Sequence, residues 1–255
     1  MSANRQVSSS GFLLTMATEV PSPDPGQFVM VGLPEPGAFF LRRPFSVFDF
    51  QARRKRLSVY YSVAGPGTEV LSRVRPGEKL SLLGPLGRGF PESPRRLHVM
   101  VGGGRGGAPL AFLSRRARKG KRVLFLVGAR TEEHVLPLER IRASKIFVAT
   151  EDGSLGMRGT VLDLLENVVS SPDFDWAEAA LYGCGPSALL RKLHAMAVKR
   201  RVPCFVSLEA RMGCGLGACQ GCAVRKSSGG FFLVCKEGPV VDSLSVDWQS
   251  YSEVR

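Results

Sequence analysis

The chain has 255 residues, 44% of them hydrophobic and 22% charged, a size and balance that suit two modest domains with an appendage and exclude a disordered or low-complexity chain. Lysine and arginine outnumber aspartate and glutamate by 35 to 22, a formal net charge of +13, and mean hydropathy is +0.03. No apolar run approaches the roughly 20 residues of a bilayer span, and the start MSANRQVSSSGFLL has no extended apolar stretch, so a cytoplasmic protein without a membrane partner is expected.

A balance this basic raises nucleic acid as a partner. The cations, however, fall in short separate clusters, at 53–56, 115–122 and 191–201, without interleaved aromatics. Bound anionic cofactors would cancel part of the charge. No nucleic-acid partner is therefore expected, and the run from Arg115 to Arg122 reads as a solvated helix end, with partner docking as its alternative.

From Gly11 to about Leu83 the sequence reads as short strands cut by turns. Leu57 to Val63 is rich in β-branched and aromatic residues, and Gly65-Pro66-Gly67 and Pro76-Gly77 interrupt the runs. Such a pattern predicts a small antiparallel β-barrel over residues 1–94. Within it stands Arg42-Arg43-Pro44-Phe45-Ser46-Val47, where an arginine can pair with a diphosphate and a hydroxyl can hydrogen-bond a flavin ring, the alternative being an ordinary strand start after a proline.

Near Pro94 the character changes to strand-helix alternation. Apolar runs at 97–101, 122–127, 146–149, 179–182 and 204–207 are separated by helix-compatible stretches at 109–119, 132–142, 160–169 and 187–200. This predicts a Rossmann-like α/β domain over 95–207, a parallel sheet with helices on both faces. The first strand runs into Gly102, Gly103, Gly104, Arg105 and Gly106, a turn that lets a pyrophosphate approach backbone and a helix N-terminus. Such a turn can also serve close packing alone. A second turn, Gly183-Cys184-Gly185-Pro186, ends a later strand and would face the same crevice. In isolation Cys184 reads as a small buried hydrophobe.

After Glu209 glycines and cysteines take over, and residues 208–255 are expected to form a small cluster-binding segment. Cys214, Cys219, Cys222 and Cys235 have four, two and twelve residues between them, the C-x4-C-x2-C...C arrangement of a plant-type 2Fe-2S cluster. A structural zinc site is the alternative, although zinc loops favour two separated knuckles and here three ligands share one loop. The final gap is too short for a ferredoxin domain. His98, His134 and His194 stand apart and read as packing or surface residues; no catalytic side chains are expected, since hydride and electron transfer are borne by cofactors.

Together these residues resemble the ferredoxin reductase superfamily, whose flavin signature Arg-x-x-Ser matches Arg43 to Ser46. A closer resemblance is to the electron-transfer subunits of NAD-linked dihydroorotate dehydrogenases, carried in order by PGQFVMV, GPGT, LLGPLGRGF, EDGSLGMRGTVLDLL, YGCGP and SLEARMGCGLGACQGC between about Phe12 and Asp242. The resemblance implies FAD against Arg43, Pro44, Phe45, Ser46, Tyr60, Tyr61, Ser62, Gly67 and Thr68. It also implies NAD(H) at the two glycine turns and a cluster that exchanges electrons with an FMN-containing dihydroorotate dehydrogenase catalytic subunit, two copies of each chain, in pyrimidine biosynthesis. Arg105 departs from the apolar residue usual in that family. Glu132 and Glu133 favour NAD over NADP, whereas Arg130 argues the other way. Reductase subunits of hydrogenase, ferredoxin-NADP oxidoreductase or oxygenase systems remain alternatives, as does, from another class, a basic zinc protein that binds nucleic acid.

Overall fold

The computed structural model describes residues 1–9, 11–33 and 40–252. Its first half is built from β1 (Ala3–Gln6), β2 (Gly11–Ala17), β3 (Phe28–Gly32), β4 (Arg43–Gln51), β5 (Arg56–Ser62) and β6 (Ser81–Leu86), antiparallel in the order β1-β2-β5-β4-β3-β6. Alternation along the strands sends Leu14, Met16, Val29, Val31, Val47, Leu57, Val59 and Tyr61 into one shared core. Register shifts in β3 and β4 bend the sheet around it. The chain start meets the turn before β6, with Gly77 N donating to Met1 O at 3.1 Å and Met1 N to Glu78 O at 2.8 Å. Among the described residues no strand ladder joins β6 to β1. The Gly-Pro-Gly turn after β5 opens a short helix, α1 (Pro66–Ser72), with proline in its first turn where a missing N–H costs nothing.

The second sheet contains β7 (Leu97–Gly103), β8 (Arg122–Ala129), β9 (Lys145–Thr150), β10 (Met157–Arg158), β11 (Ala179–Cys184) and β12 (Cys204–Ser207), all parallel. One helix, α2 (Gly107–Arg116), covers one face, packing Leu110 and Ala111 over Met100, Phe125 and Tyr182. The other face, with Val99, Leu126 and Leu181, is covered by Leu164 and Leu165 of α3 (Val161–Val169) and Leu190 and Leu193 of α4 (Ser187–Arg200).

The helix expected over 132–142 is not there. Two 3-10 turns, Glu132–His134 and Leu138–Arg140, flank Val135, Leu136 and Pro137. Pro137 removes the N–H and crowds the carbonyl that a helix would need, while Val135 and Leu136 plug into the α2 side of the sheet.

Past residue 208 the chain forms the hairpin β13 (Ala223–Arg225) and β14 (Phe231–Leu233), then α5 (Val234–Glu237) and β15 (Val240–Asp242). β15 rejoins the second sheet as an antiparallel edge beside β12, and Leu208 N donates to Pro239 O at 2.9 Å. Phe28 and Met30, on the outer side of β3, share a core with Cys222, Val224, Phe232, Val234 and Cys235. The cysteine segment is thus packed on both sheets. Among the described residues no helix is long and apolar enough to cross a membrane.

Candidate cofactor and cluster site

The cysteine loop brings its thiols together in pairs. Cys214 Sγ accepts hydrogen bonds from Cys219 N at 3.4 Å and Leu216 N at 3.3 Å, and these donors draw its pKa down to about 6. Cys222 Sγ accepts from Cys235 N at 3.5 Å. Burial, then the adjacent Cys222 thiol and, to a lesser extent, Cys214 push Cys235 up to about 12. Neighbouring thiols that resist ionising together are the donor set a cation or cluster would neutralise. Gly215 and Gly217 hold φ of 74° and 82°, which folds the loop back on itself and aims its amides at the sulfurs. Among the described residues no three His, Cys, Asp or Glu side chains converge on one ion's position; a two-iron cluster divides its thiolates between two irons.

At the start of β4, Arg43 Nη1 donates to Leu41 O at 2.6 Å, and its guanidinium lies on the Gly67 backbone: a Cβ there would sit 2.8 Å from Nε. Arg43 and the Gly67-Thr68 turn, distant in sequence, are therefore side by side, and the missing side chain at Gly67 lets the guanidinium lie against the backbone. Thr68 Oγ1 fixes that turn by accepting from Ala64 N at 2.8 Å. Pro44, Phe45 and Ser46 pair with Met30, Val29 and Phe28 of β3. Along β5 the two tyrosines part company. Tyr61 turns into the core between Phe12 and Phe45, its hydroxyl donating to Asn4 Oδ1 at 3.1 Å and its pKa pushed up to about 12 by burial. Tyr60 faces the second sheet beside Phe48. Burial raises its pKa, offset in part by the Ser8 hydroxyl and the Arg105 guanidinium. Half-buried Ser62 ends the strand.

Arg105 belongs to the first glycine turn, so that turn stands against β5. The two turns interlock at the carboxyl ends of adjacent strands β7 and β11. A Cβ on Gly106 would run into the Cys184 carbonyl, and one on Gly103 would lie 2.7 Å from Pro186 Cδ. Gly102 is packed equally closely on Gly107 at the start of α2, and Gly104 takes φ of 54°. With Gly185 and Pro186, these residues bring the ends of β7 and β11 to the N-terminus of α2, a setting suited to a pyrophosphate. The Cys184 thiol is buried and pushed up to about 12, first by burial and then by Glu209, so it is no thiolate.

Glu209 itself was not singled out by the sequence. It follows β12 near enough to Cys184 to raise that thiol, its N donating to Tyr251 Oη at 3.0 Å. A carboxylate just beyond a third parallel strand end was the available signal. Glu133 Oε2 accepts from Ser9 Oγ at 2.8 Å, and Glu132 N donates to Ser154 Oγ at 2.7 Å. His98 packs on Tyr182, His134 bonds Thr131 at 2.8 Å and His194 packs on Trp248, all structural settings.

A curled antiparallel sheet bearing Arg-x-x-Ser, set against a parallel sheet with paired glycine turns, defines a ferredoxin reductase-like protein. An NADH-dependent reduced ferredoxin-NADP oxidoreductase chain superposes with a TM-score of 0.83 at 26% identity, over 97% of this chain and 89% of that one. A cytochrome P450 reductase from Amycolatopsis shares the fold at 22% identity and a TM-score of 0.63, over 78% and 64% of the two chains. Residues 209–247 match the iron-sulfur cluster binding domain of dihydroorotate dehydrogenase B. The electron transfer subunit of dihydroorotate dehydrogenase B (NAD(+)) from Caldanaerobacter subterraneus subsp. tengcongensis is 36% identical over 242 residues, 93% of each chain. That from Desulforamulus reducens is 39% identical over 233 residues, 88% of this chain and 87% of its own. The chain belongs to the family of dihydroorotate dehydrogenase B electron transfer subunits.

Proposed function

We propose that this chain carries electrons between a separate dehydrogenase and NAD(H), with FAD on residues 1–94, the nucleotide on 95–207 and a 2Fe-2S cluster on 208–255. The iron-sulfur domain match over 209–247, which spans all four cysteines, is the observation that carries the reading. Arg43 would pair with the FAD diphosphate, beside Gly67 and Thr68, while Ser46, Tyr60 and Ser62 offer polar groups to the flavin, with Pro44 and Phe45 setting the strand; Tyr61 acts through packing. Gly102, Gly103, Gly104 and Gly106 would hold the pyrophosphate, and Cys184, Gly185 and Pro186 would close the nicotinamide side. FAD, when bound, supplies the exchange between a hydride and single electrons. The partner is an FMN-containing catalytic subunit that oxidises dihydroorotate, in a cytoplasmic assembly of two copies of each chain.

A second reading, a subunit of a ferredoxin-NADP oxidoreductase complex, draws on the 0.83 TM-score to such a protein. The relatives at 36% and 39% identity favour the first. The direct test of the cofactor set is the purified chain and its Cys219→Ser variant. Flavin and cluster absorption are expected in the parent, and loss of iron and sulfide with FAD retained in the variant. A colourless parent holding zinc, or an unchanged iron content in the variant, would sink the assignment.

A further inference from the structure

The helix-end arginines read from sequence as a solvated run, yet the first of them is not solvated. Arg115, in the last turn of α2, is 23% exposed and reaches out of its own domain. Its Nη2 donates to Phe48 O and its Nη1 to Arg140 O. Nε faces Asp49 Oδ1 at 3.4 Å, an ion pair without good hydrogen-bond geometry, and the guanidinium carbon lies 5.0 Å from the centroid of the Phe48 ring. Asp49, 20% exposed, is as sheltered as its partner. Phe48 and Asp49 belong to β4, and Arg140 to the connection between β8 and β9. One planar side chain thus joins three segments through a fork that a lysine cannot reproduce.

The two elements it ties together are those that carry the cofactor motifs. Helix α2 starts at Gly107, directly after the glycine turn, and Arg115 stands about 12 Å further along it. Strand β4 starts at Arg43 and carries Ser46 two residues before Phe48. We propose that Arg115 is a positioning residue: it fixes the nucleotide turn relative to the flavin strand, and so sets the distance and angle at which the nicotinamide meets the flavin. The proposal rests on the assignment of FAD to Arg43–Ser46 and of the nucleotide to Gly102–Gly106. Hydride transfer is steep in geometry, so a loosened clamp shows in that step before it shows in binding.

The experiment uses the full chain loaded with FAD and cluster, as parent, Arg115→Lys and Arg115→Ala. Four quantities are read: FAD and iron content, the flavin midpoint potential, amide hydrogen exchange over 43–51 and 107–116, and flavin reduction by NADH against reduction by dithionite. Expected in both variants are parental contents and potential, faster exchange in the two segments, and NADH-driven reduction slowed roughly tenfold or more at saturating NADH. Dithionite reduction stays at the parental rate, and lysine recovers part of the loss. Should Arg115→Ala shed its FAD, the same readouts on Arg115→Lys decide. Parental NADH rates in a FAD-loaded variant, or equal slowing with dithionite, would overturn the role of Arg115. Failure of the parent to hold FAD or to be reduced by NADH would instead sink the flavin assignment itself.

Discussion

The backbone of Gly215, one residue past the first cysteine of the cluster loop, rests directly on Met30 of the flavin-motif sheet: a Cβ there would lie 2.8 Å from Met30 Cγ. Met30 is fully buried and pairs across the ladder with Pro44, so the cluster loop is seated on the strand next to the Arg-x-x-Ser motif. Gly215 also holds φ of 74°, which an alanine adopts only with strain. Gly215→Ala is expected to cost on the order of 1 to 3 kcal/mol through strain and overpacking. Thermal unfolding of the loaded protein, and the rate at which a chelator strips its iron, check this. A parental midpoint with a parental stripping rate would refute the seat.

Arg43→Ala should weaken FAD retention. The guanidinium is tied to Leu41 O and lies against Gly67, where it would meet the diphosphate of FAD in the proposed site. A charge-assisted contact of this kind is worth on the order of 1.5 to 3 kcal/mol, roughly a tenfold to hundredfold change in affinity. FAD occupancy after extensive dialysis reads the effect, and equal occupancy in mutant and parent would remove Arg43 from the site.

His98 predicts an acid-sensitive joint between the second sheet and the segment that leads into it. It is 2% exposed, Nε2 lies 3.3 Å from Ser93 O, and its ring packs on Tyr182, whose hydroxyl accepts from Ser93 N at 3.0 Å. Burial lowers its pKa from 6.5, with the Lys121 ammonium acting the same way and the Ser93 carbonyl opposing. The unfolded chain therefore takes up this proton before the folded one does. The associated stability is complete above about pH 6.5 and is lost as pH falls toward the folded value. Parent and His98→Gln should diverge in the slope of unfolding midpoint against pH between about 7.5 and 5.5, the parent falling more steeply. Parallel slopes would show that folding leaves the His98 proton affinity unchanged, and a shallower fall in the parent that the folded protein favours its charged form.

Much of this architecture was legible because its signals are local. The run 204–207 and the stretch 187–200 became β12 and α4 without adjustment, since each carries its own periodicity and breakers. The four cysteines announced themselves by spacing. What escaped was what depends on the other half of the chain. Pro137 inside an otherwise helical composition should have demoted 132–142, but the burial of Leu136 against Gly107 is a tertiary fact. β15 is three residues long and has a strand identity only beside β12. Tyr60 and Tyr61 both fitted a flavin contact by motif; the period of two along β5 sends them to opposite faces, which the sequence states but does not anchor to a face. Arg115 looked solvated because its partners, Phe48 and Arg140, are far from it along the chain.

The partner is where the sequence had least to offer and the assay has most. The cluster loop keeps Cys219 and Leu216 exposed while Gly215 rests on Met30 of β3. Beside the ends of β11 and β12 stand Glu209 and a thiol too buried to ionise, neither of them suited to acid-base work on an organic acid as a pair. Alone, the chain loaded with FAD and cluster should oxidise NADH with artificial acceptors yet leave dihydroorotate untouched. Mixed with an FMN-containing dihydroorotate dehydrogenase catalytic subunit from the same cell, it should reduce NAD+ at the expense of dihydroorotate, and the rate should saturate as the two chains reach equal amounts. Dihydroorotate turnover by the chain alone would overturn the electron-transfer role. Silence with the cognate catalytic subunit, together with turnover when a ferredoxin and NADPH are supplied, would move the chain to the ferredoxin-linked complexes whose fold it also shares.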